Sequence, residues 1–191
     1  MKKLLPVICA ILIATITFDA KAQTEQEMKN WMDYMTPGDV HKMIASWDGT
    51  WEGTVSMWMA PGAPPSTSTS TAVNKMAFGG RYQVTNHSGS FNGMPFEGMS
   101  TLAYDNAKKV FEFVWIDNMG TGIMHLQGPW DAKTKTLTLT GNMVDPTTGK
   151  DVKVKETMKV VDDNTQVMTM SMPMPDGTEF KTMEITYKRK K

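Results

Sequence analysis

Thr136-Leu137-Thr138-Leu139-Thr140-Gly141 changes from polar to apolar at each step, and Gln166-Val167-Met168-Thr169-Met170-Ser171-Met172-Pro173-Met174 carries a methionine at each even position from 168 onward. Side chains of a β-strand alternate between two faces, so a period of two marks strands that present an apolar face to one side. Asp131-Ala132-Lys133 stands before the first stretch, and Asp145-Pro146 with Gly149 follows it. Asp162-Asp163-Asn164 and Pro175-Asp176-Gly177 bracket the second. These are turn-forming clusters. Working outward, the same alternation runs back to Gly49 and on to the C-terminus. It predicts ten strands, at 50–60, 69–78, 81–90, 96–104, 109–117, 122–130, 136–144, 151–161, 166–172 and 179–189. Pro61-Gly62, Gly79-Gly80, Asn92-Gly93, Asp105-Asn106 and Met119-Gly120 punctuate the earlier ones.

Turns this short exclude a parallel sheet, because each parallel pair needs a crossover of about a dozen residues. An antiparallel meander of this length removes its exposed edges by closing on itself. The fold class expected is all-β, an antiparallel up-and-down barrel of eight to ten strands. The segment 60–71, with Pro61, Pro64, Pro65 and a Ser/Thr run, reads as a loop at one rim plus a polar strand.

Before Gly49 the period changes. Met28, Trp31, Met32 and Met35 fall three and four residues apart, as on one helical face. Thr36-Pro37-Gly38 breaks that helix, Asp39 is a plausible N-cap, and Val40, Met43, Ile44 and Trp47 share a face of a second. The apolar face of this lead-in must be covered, and the outer face of strand 109–117, apolar at both parities, is a natural partner.

The first 22 residues read as an export signal. Met1-Lys2-Lys3 is basic, 4–16 is an apolar run too short to span a bilayer, and Ala20-Lys21-Ala22 is a small-x-small cleavage site. The expected organisation is a signal peptide at 1–22, a helical lead-in at 23–48 and one barrel domain at 49–191. Cleavage removes Lys2, Lys3, Lys21 and Asp19 from a chain with 20 basic and 20 acidic residues, leaving a net charge of −2. It also removes Cys9, the single cysteine, so no disulfide or thiolate metal site remains. A bacterial periplasm or the exterior is the expected location, with no transmembrane segment in the mature chain. Balanced charge gives no reason to expect nucleic acid. The tail Lys188-Arg189-Lys190-Lys191 reads as a solvated end.

Catalytic patterns are missing. His41, His87 and His125 are far apart, with no His-x-x-x-His or His-Glu-x-x-His. There is no Gly-x-Ser-x-Gly elbow, and Asp117-Asn118-Met119-Gly120-Thr121-Gly122 lacks the Lys-Ser/Thr and helix of a phosphate loop. The expectation is a protein that is not an enzyme and carries no cofactor.

Gly49-Thr50-Trp51, opening the first strand after a short helix, resembles the Gly-x-Trp signature of lipocalin-like (calycin) barrels. That resemblance implies that Trp51 closes one end of the barrel and that Arg189, in the last strand, packs across it. A longer set of motifs resembles a bacterial family of exported barrels known as domain of unknown function 1579. It comprises Pro37-Gly38 with His41, Trp47, Gly49-Thr50-Trp51-Glu52-Gly53, Gly79-Gly80-Arg81-Tyr82 and Gly93-Met94-Pro95-Phe96-Glu97-Gly98 with Tyr104-Asp105. Trp115-Ile116-Asp117-Asn118-Met119-Gly120 and Asp145-Pro146-Thr147-Thr148-Gly149-Lys150 complete it. The resemblance runs from Pro37 to the C-terminus and implies a barrel, while leaving activity open.

Parity sorts inside from outside. With Trp51 inward, Val55, Met57 and Met59 follow it; Met168, Met170 and Met172 form a second stripe, and Phe113 and Trp115 add aromatic surface. An apolar interior rich in thioethers suits a small hydrophobic ligand, because methionine adapts to varied apolar shapes. These eight residues are the candidate ligand-binding set. Two alternatives use the same residues: a filled structural core, or a Cu(I) site on the methionine stripe, since soft thioethers select Cu(I). Methionines two apart on one strand are roughly 6.5–7 Å apart, which is wide for a single ion.

Overall fold

The structure is a computed structural model and describes residues 24–174 and 176–191; the expected signal peptide lies outside them. Two helices, α1 (Glu25–Met35) and α2 (Asp39–Ala45), precede the strands. These are β1 (Gly49–Met57), β2 (Ser66–Ala77), β3 (Tyr82–Phe91), β4 (Met94–Asp105), β5 (Val110–Asp117), β6 (Met124–Gly128), β7 (Trp130–Asp131), β8 (Thr136–Asp145), β9 (Lys150–Asp162), β10 (Thr165–Pro173) and β11 (Glu179–Arg189).

Consecutive strands pair antiparallel all the way round. The first strand pairs with the last, Trp51 opposite Arg189 and Met57 opposite Met183. β6 and β7 both lie along β8 and are one strand interrupted at Pro129, so the barrel has ten strands. Pro129 has no N–H to give to the ladder, which is why the strand expected at 122–130 breaks there. The β3–β4 hairpin turns on Asn92 (φ 49°) and Gly93 (φ 80°), the paired positive angles that a tight two-residue hairpin needs.

Most strand expectations hold to within a few residues. One shift matters: β1 ends at Met57, so Met59 lies in the β1–β2 connection, 81% exposed. The Ser/Thr run, in turn, belongs to β2 from Ser66 onward.

α2 plugs one end of the barrel. Its Ile44, with no accessible surface, and Trp47 just beyond it pack against Leu102, Phe111, Leu126, Leu137, Leu139 and Val154. Trp47 also meets Trp130, ring centroids 5.7 Å apart. Three strands seize the carbonyls at the end of this helix, because a helix C-terminus leaves them unpaired. Trp51 Nε1 and Asn74 Nδ2 both donate to Trp47 O at 3.0 Å, and Gln83 Nε2 donates to Ile44 O at 2.9 Å.

α1 contradicts the expected cover. Thr24 and Glu27 form a capping box at its start, yet none of its residues is buried and Trp31 remains 51% exposed. Only its C-terminal end is tied down. Asn106 Nδ2 donates to the carbonyls of Asp33, Tyr34 and Thr36, and Arg81 Nη2 donates to Met35 O. Neither helix covers the outer face of β5.

Candidate ligand-binding site

The closed end is built around Trp51, which is 1% exposed. Arg189 lies on its indole, 4.2 Å from the ring centroid. The guanidinium also donates to three carbonyls: Asp48 O, Ser46 O at 2.8 Å and Asp163 O at 2.9 Å. One side chain therefore ties the first strand, the last strand, the α2 terminus and the β9–β10 turn together. Gly49 makes room for it: its φ is +126°, and a Cβ there would stand 3.0 Å from Arg189 Nη1. A side chain at 49 would be strained twice over.

Among the described residues the opposite end carries no plug. Strands β1, β3, β5, β8 and β10 run toward it, and the connections after them form its rim. Inward-facing side chains from Met57 round through Phe91, Phe96, Trp115, Met124, Met143, Val152, Met172 and Met183 stay only half-buried although they point into the barrel. A solid plug of side chains would leave them no accessible surface.

Seven of the eight expected residues line this interior. Val55 is buried in a cluster with Trp51, Ala72, Ile185 and Tyr187, and Met57 and Met168 pack against it. Met170 and Phe113 pack against the cluster beneath, over α2. Met172 and Trp115 stand nearer the mouth. Trp115 is held by its Nε1 donating to Asp117 Oδ2 at 2.6 Å and by Phe96, stacked at 6.2 Å. Met59 is the exception and takes no part, because the strand ends before it.

The interior differs from expectation in being polar on one wall. Gln83, Thr85 and Ser100, all buried, and the half-buried Ser68, Ser70 and His87 face inward from β2, β3 and β4. His87 Nε2 lies 3.4 Å from Ser100 Oγ, and its ring meets Trp115 edge-on at 4.8 Å. Burial pushes its imidazole down to about 4. It is neutral at physiological pH. From the other wall Glu156 faces inward at 6% exposure, and burial pushes its carboxyl up to about 7. Tyr187 is raised by its own burial and by the nearby Glu156. Ser70 Oγ and Gln166 Nε2 have no hydrogen-bond partner among the described residues.

Sequence reasoning missed Glu156 and Met183. Lys153, Lys155 and Lys159 make β9 read as charged, and only the parity of Val154 and Met158 shows that Glu156 points inward. Two hollows of about 420 and 410 Å³ lie along β8 and are lined largely by outward side chains such as Thr140, Asn142, Lys153 and His125. They belong to the outer wall. Among the described residues, no three His, Cys, Asp or Glu side chains stand close enough to hold a metal ion, and no helix is long and apolar enough to cross a membrane.

A family model described as a protein of unknown function, DUF1579, matches residues 36–189. Among curated proteins none matches in sequence. The crystal structure of Rv2717c from M. tuberculosis is similar at a TM-score of 0.60 and 13% identity, over 82% of this chain and 100% of that one. At that identity the likeness speaks for the barrel alone. A redesigned β-barrel is similar at a TM-score of 0.39 and 13% identity, over 78% of this chain and 95% of that one, too low to argue from.

Proposed function

This chain belongs to the DUF1579 family of proteins of unknown function, and within that frame we propose that it is an exported, non-catalytic binding protein that holds one small hydrophobic molecule inside its barrel. The observation that carries the proposal is the row of inward side chains left half-buried toward the end away from α2. Apolar side chains that face inward and still keep accessible surface gain roughly 25 cal/mol for each Å² that a guest covers. Unbranched methionines can repack around guests of different shape. The β2–β4 wall of Ser68, Ser70, Gln83, Thr85 and Ser100 suits a guest with some polarity as well as an apolar body. Export is supported by the sequence at 1–22 alone.

The test is equilibrium binding of N-phenyl-1-naphthylamine to the protein, followed by displacement with long-chain fatty acids and their neutral esters. One saturable site is expected, abolished by Met168→Trp, which fills the space, while circular dichroism shows the barrel intact. Linear, non-saturating fluorescence with the wild-type protein would sink the reading.

A further inference from the structure

Two features of the interior go beyond what an apolar guest requires. One is Glu156, nine-tenths buried, facing inward with no cation paired to it among the described residues. The other is its surroundings. Glu156 is directly opposite Met170 across β9–β10, Met170 is opposite Met183 across β10–β11, and Met183 is opposite Met57 across β11–β1. Directly opposed residues share a face, so a carboxyl and three thioethers form one inward row over four adjacent strands.

We propose that this row is a binding site for a single soft monovalent cation, Cu(I), with Met57, Met170 and Met183 as thioether ligands and Glu156 as the counter-charge. Opposed Cα atoms on antiparallel strands are roughly 4.5–5.5 Å apart, closer than the 6.5–7 Å between alternate residues of one strand. On the concave face of a closed barrel the inward atoms converge further than their Cα atoms. Three unbranched side chains can then bring their sulfurs around one ion. The β10–β11 pairing is irregular just after Met170, where Met170 faces Met183 but Ser171 faces Lys181, leaving Thr182 of β11 as the extra residue. Such bulges re-aim side chains and recur beside functional sites.

The charge arithmetic favours this class of ion. Thioethers are neutral, so a monovalent ion in this setting needs one negative charge, and the row holds one carboxyl, which gives up its proton as the cation binds beside it. Thioethers are poor ligands for hard cations, and a divalent ion would be left with uncompensated charge. The Met168, Met170, Met172 stripe along a single strand is the weaker arrangement, and Met59 is too far out to contribute. β11 lies between β1 and β10 and supplies the ligand, Met183, that joins them.

The site is tested by titrating the protein with Cu(I) under anaerobic conditions against a chromophoric Cu(I) chelator, and in parallel with Ag(I) by calorimetry. One equivalent is expected to bind. The triple variant Met57→Leu, Met170→Leu, Met183→Leu should lose it, and Glu156→Gln should weaken it at least tenfold. Met119→Leu, at the exposed rim, should leave it unchanged. Should the triple variant fail to fold by circular dichroism, Met183→Leu alone should weaken binding at least tenfold. Failure of the wild type to compete with the chelator overturns the site. So does undiminished binding by the folded triple variant or by Met183→Leu, or an equal loss in Met119→Leu; undiminished binding by Glu156→Gln overturns the role given to that carboxyl. None of these results bears on uptake of the naphthylamine probe, so this site and the ligand reading stand or fall separately.

Discussion

Glu156 and His87 pull stability in opposite directions across the same pH range. An unfolded chain releases the Glu156 proton near 4.5, whereas the folded barrel keeps it until about 7. Stability therefore falls as pH rises through that interval, by roughly 3 kcal/mol. His87 behaves in the mirror sense. The unfolded chain takes up a proton below 6.5, and the folded protein refuses it until about 4, so stability falls as pH drops, by a similar amount of roughly 3 kcal/mol. The turn aspartates Asp105, Asp131, Asp145, Asp162 and Asp176 are held below 3.8 by backbone and side-chain donors and stay out of the window. The wild type should thus show a shallower pH dependence between pH 4.5 and 6.5 in urea titrations than either single variant, with a residual rise from His41, whose imidazole burial also lowers. Glu156→Gln should instead gain stability as pH rises across that range, and His87→Gln should lose it. A wild-type profile as steep as either variant would contradict the assignment.

Among the elements, α1 and α2 differ sharply for two helices so close in sequence. α2 delivers Ile44 and Trp47 into the core and is seized by side chains from three strands. α1 has a clear apolar face and buries none of it. Helical periodicity reports which side chains share a face; it does not report whether anything lies opposite. Removing residues 24–35 should therefore change unfolding free energy by no more than about 0.5 kcal/mol. Ile44→Ala should cost about 2–5 kcal/mol, because it leaves a cavity in a site with no accessible surface. Chemical denaturation of the two variants checks both. β6–β7 makes a similar point: Pro129 was visible in the sequence, yet the strand resumes beyond it only because β8 offers partners on both sides of the break.

At the scale of the whole molecule, closure rests on the seam between β1 and β11. Its bonded register runs from Trp51–Arg189 to Met57–Met183, and Arg189 fastens one end by cation–π contact and three carbonyl acceptors. Arg189→Met should lower stability by about 2–3 kcal/mol in urea titrations. Arg189→Lys should recover less than half of that, since a single ammonium cannot reach Ser46, Asp48 and Asp163 together. Backbone amides of β1 and β11 should exchange faster in both variants, while those of β4 and β5 should not.

Alternation and turn chemistry, both local, were enough to read ten strands, their order and the parity of seven of the eight expected lining residues, because a strand's two faces follow from covalent geometry. Met59 escaped that reading because where a strand stops depends on its neighbours. Across the barrel, local rules are silent. That Met183 stands between Met57 and Met170, that Glu156 comes to lie in their row with no cation paired to it among the described residues, and that one wall is polar are consequences of register. Register comes from turn lengths, the irregularity in the β10–β11 pairing and closure: Glu156 meets Met170 and Met170 meets Met183 across hairpins, whereas Met57 meets Met183 only when the first strand reaches the last.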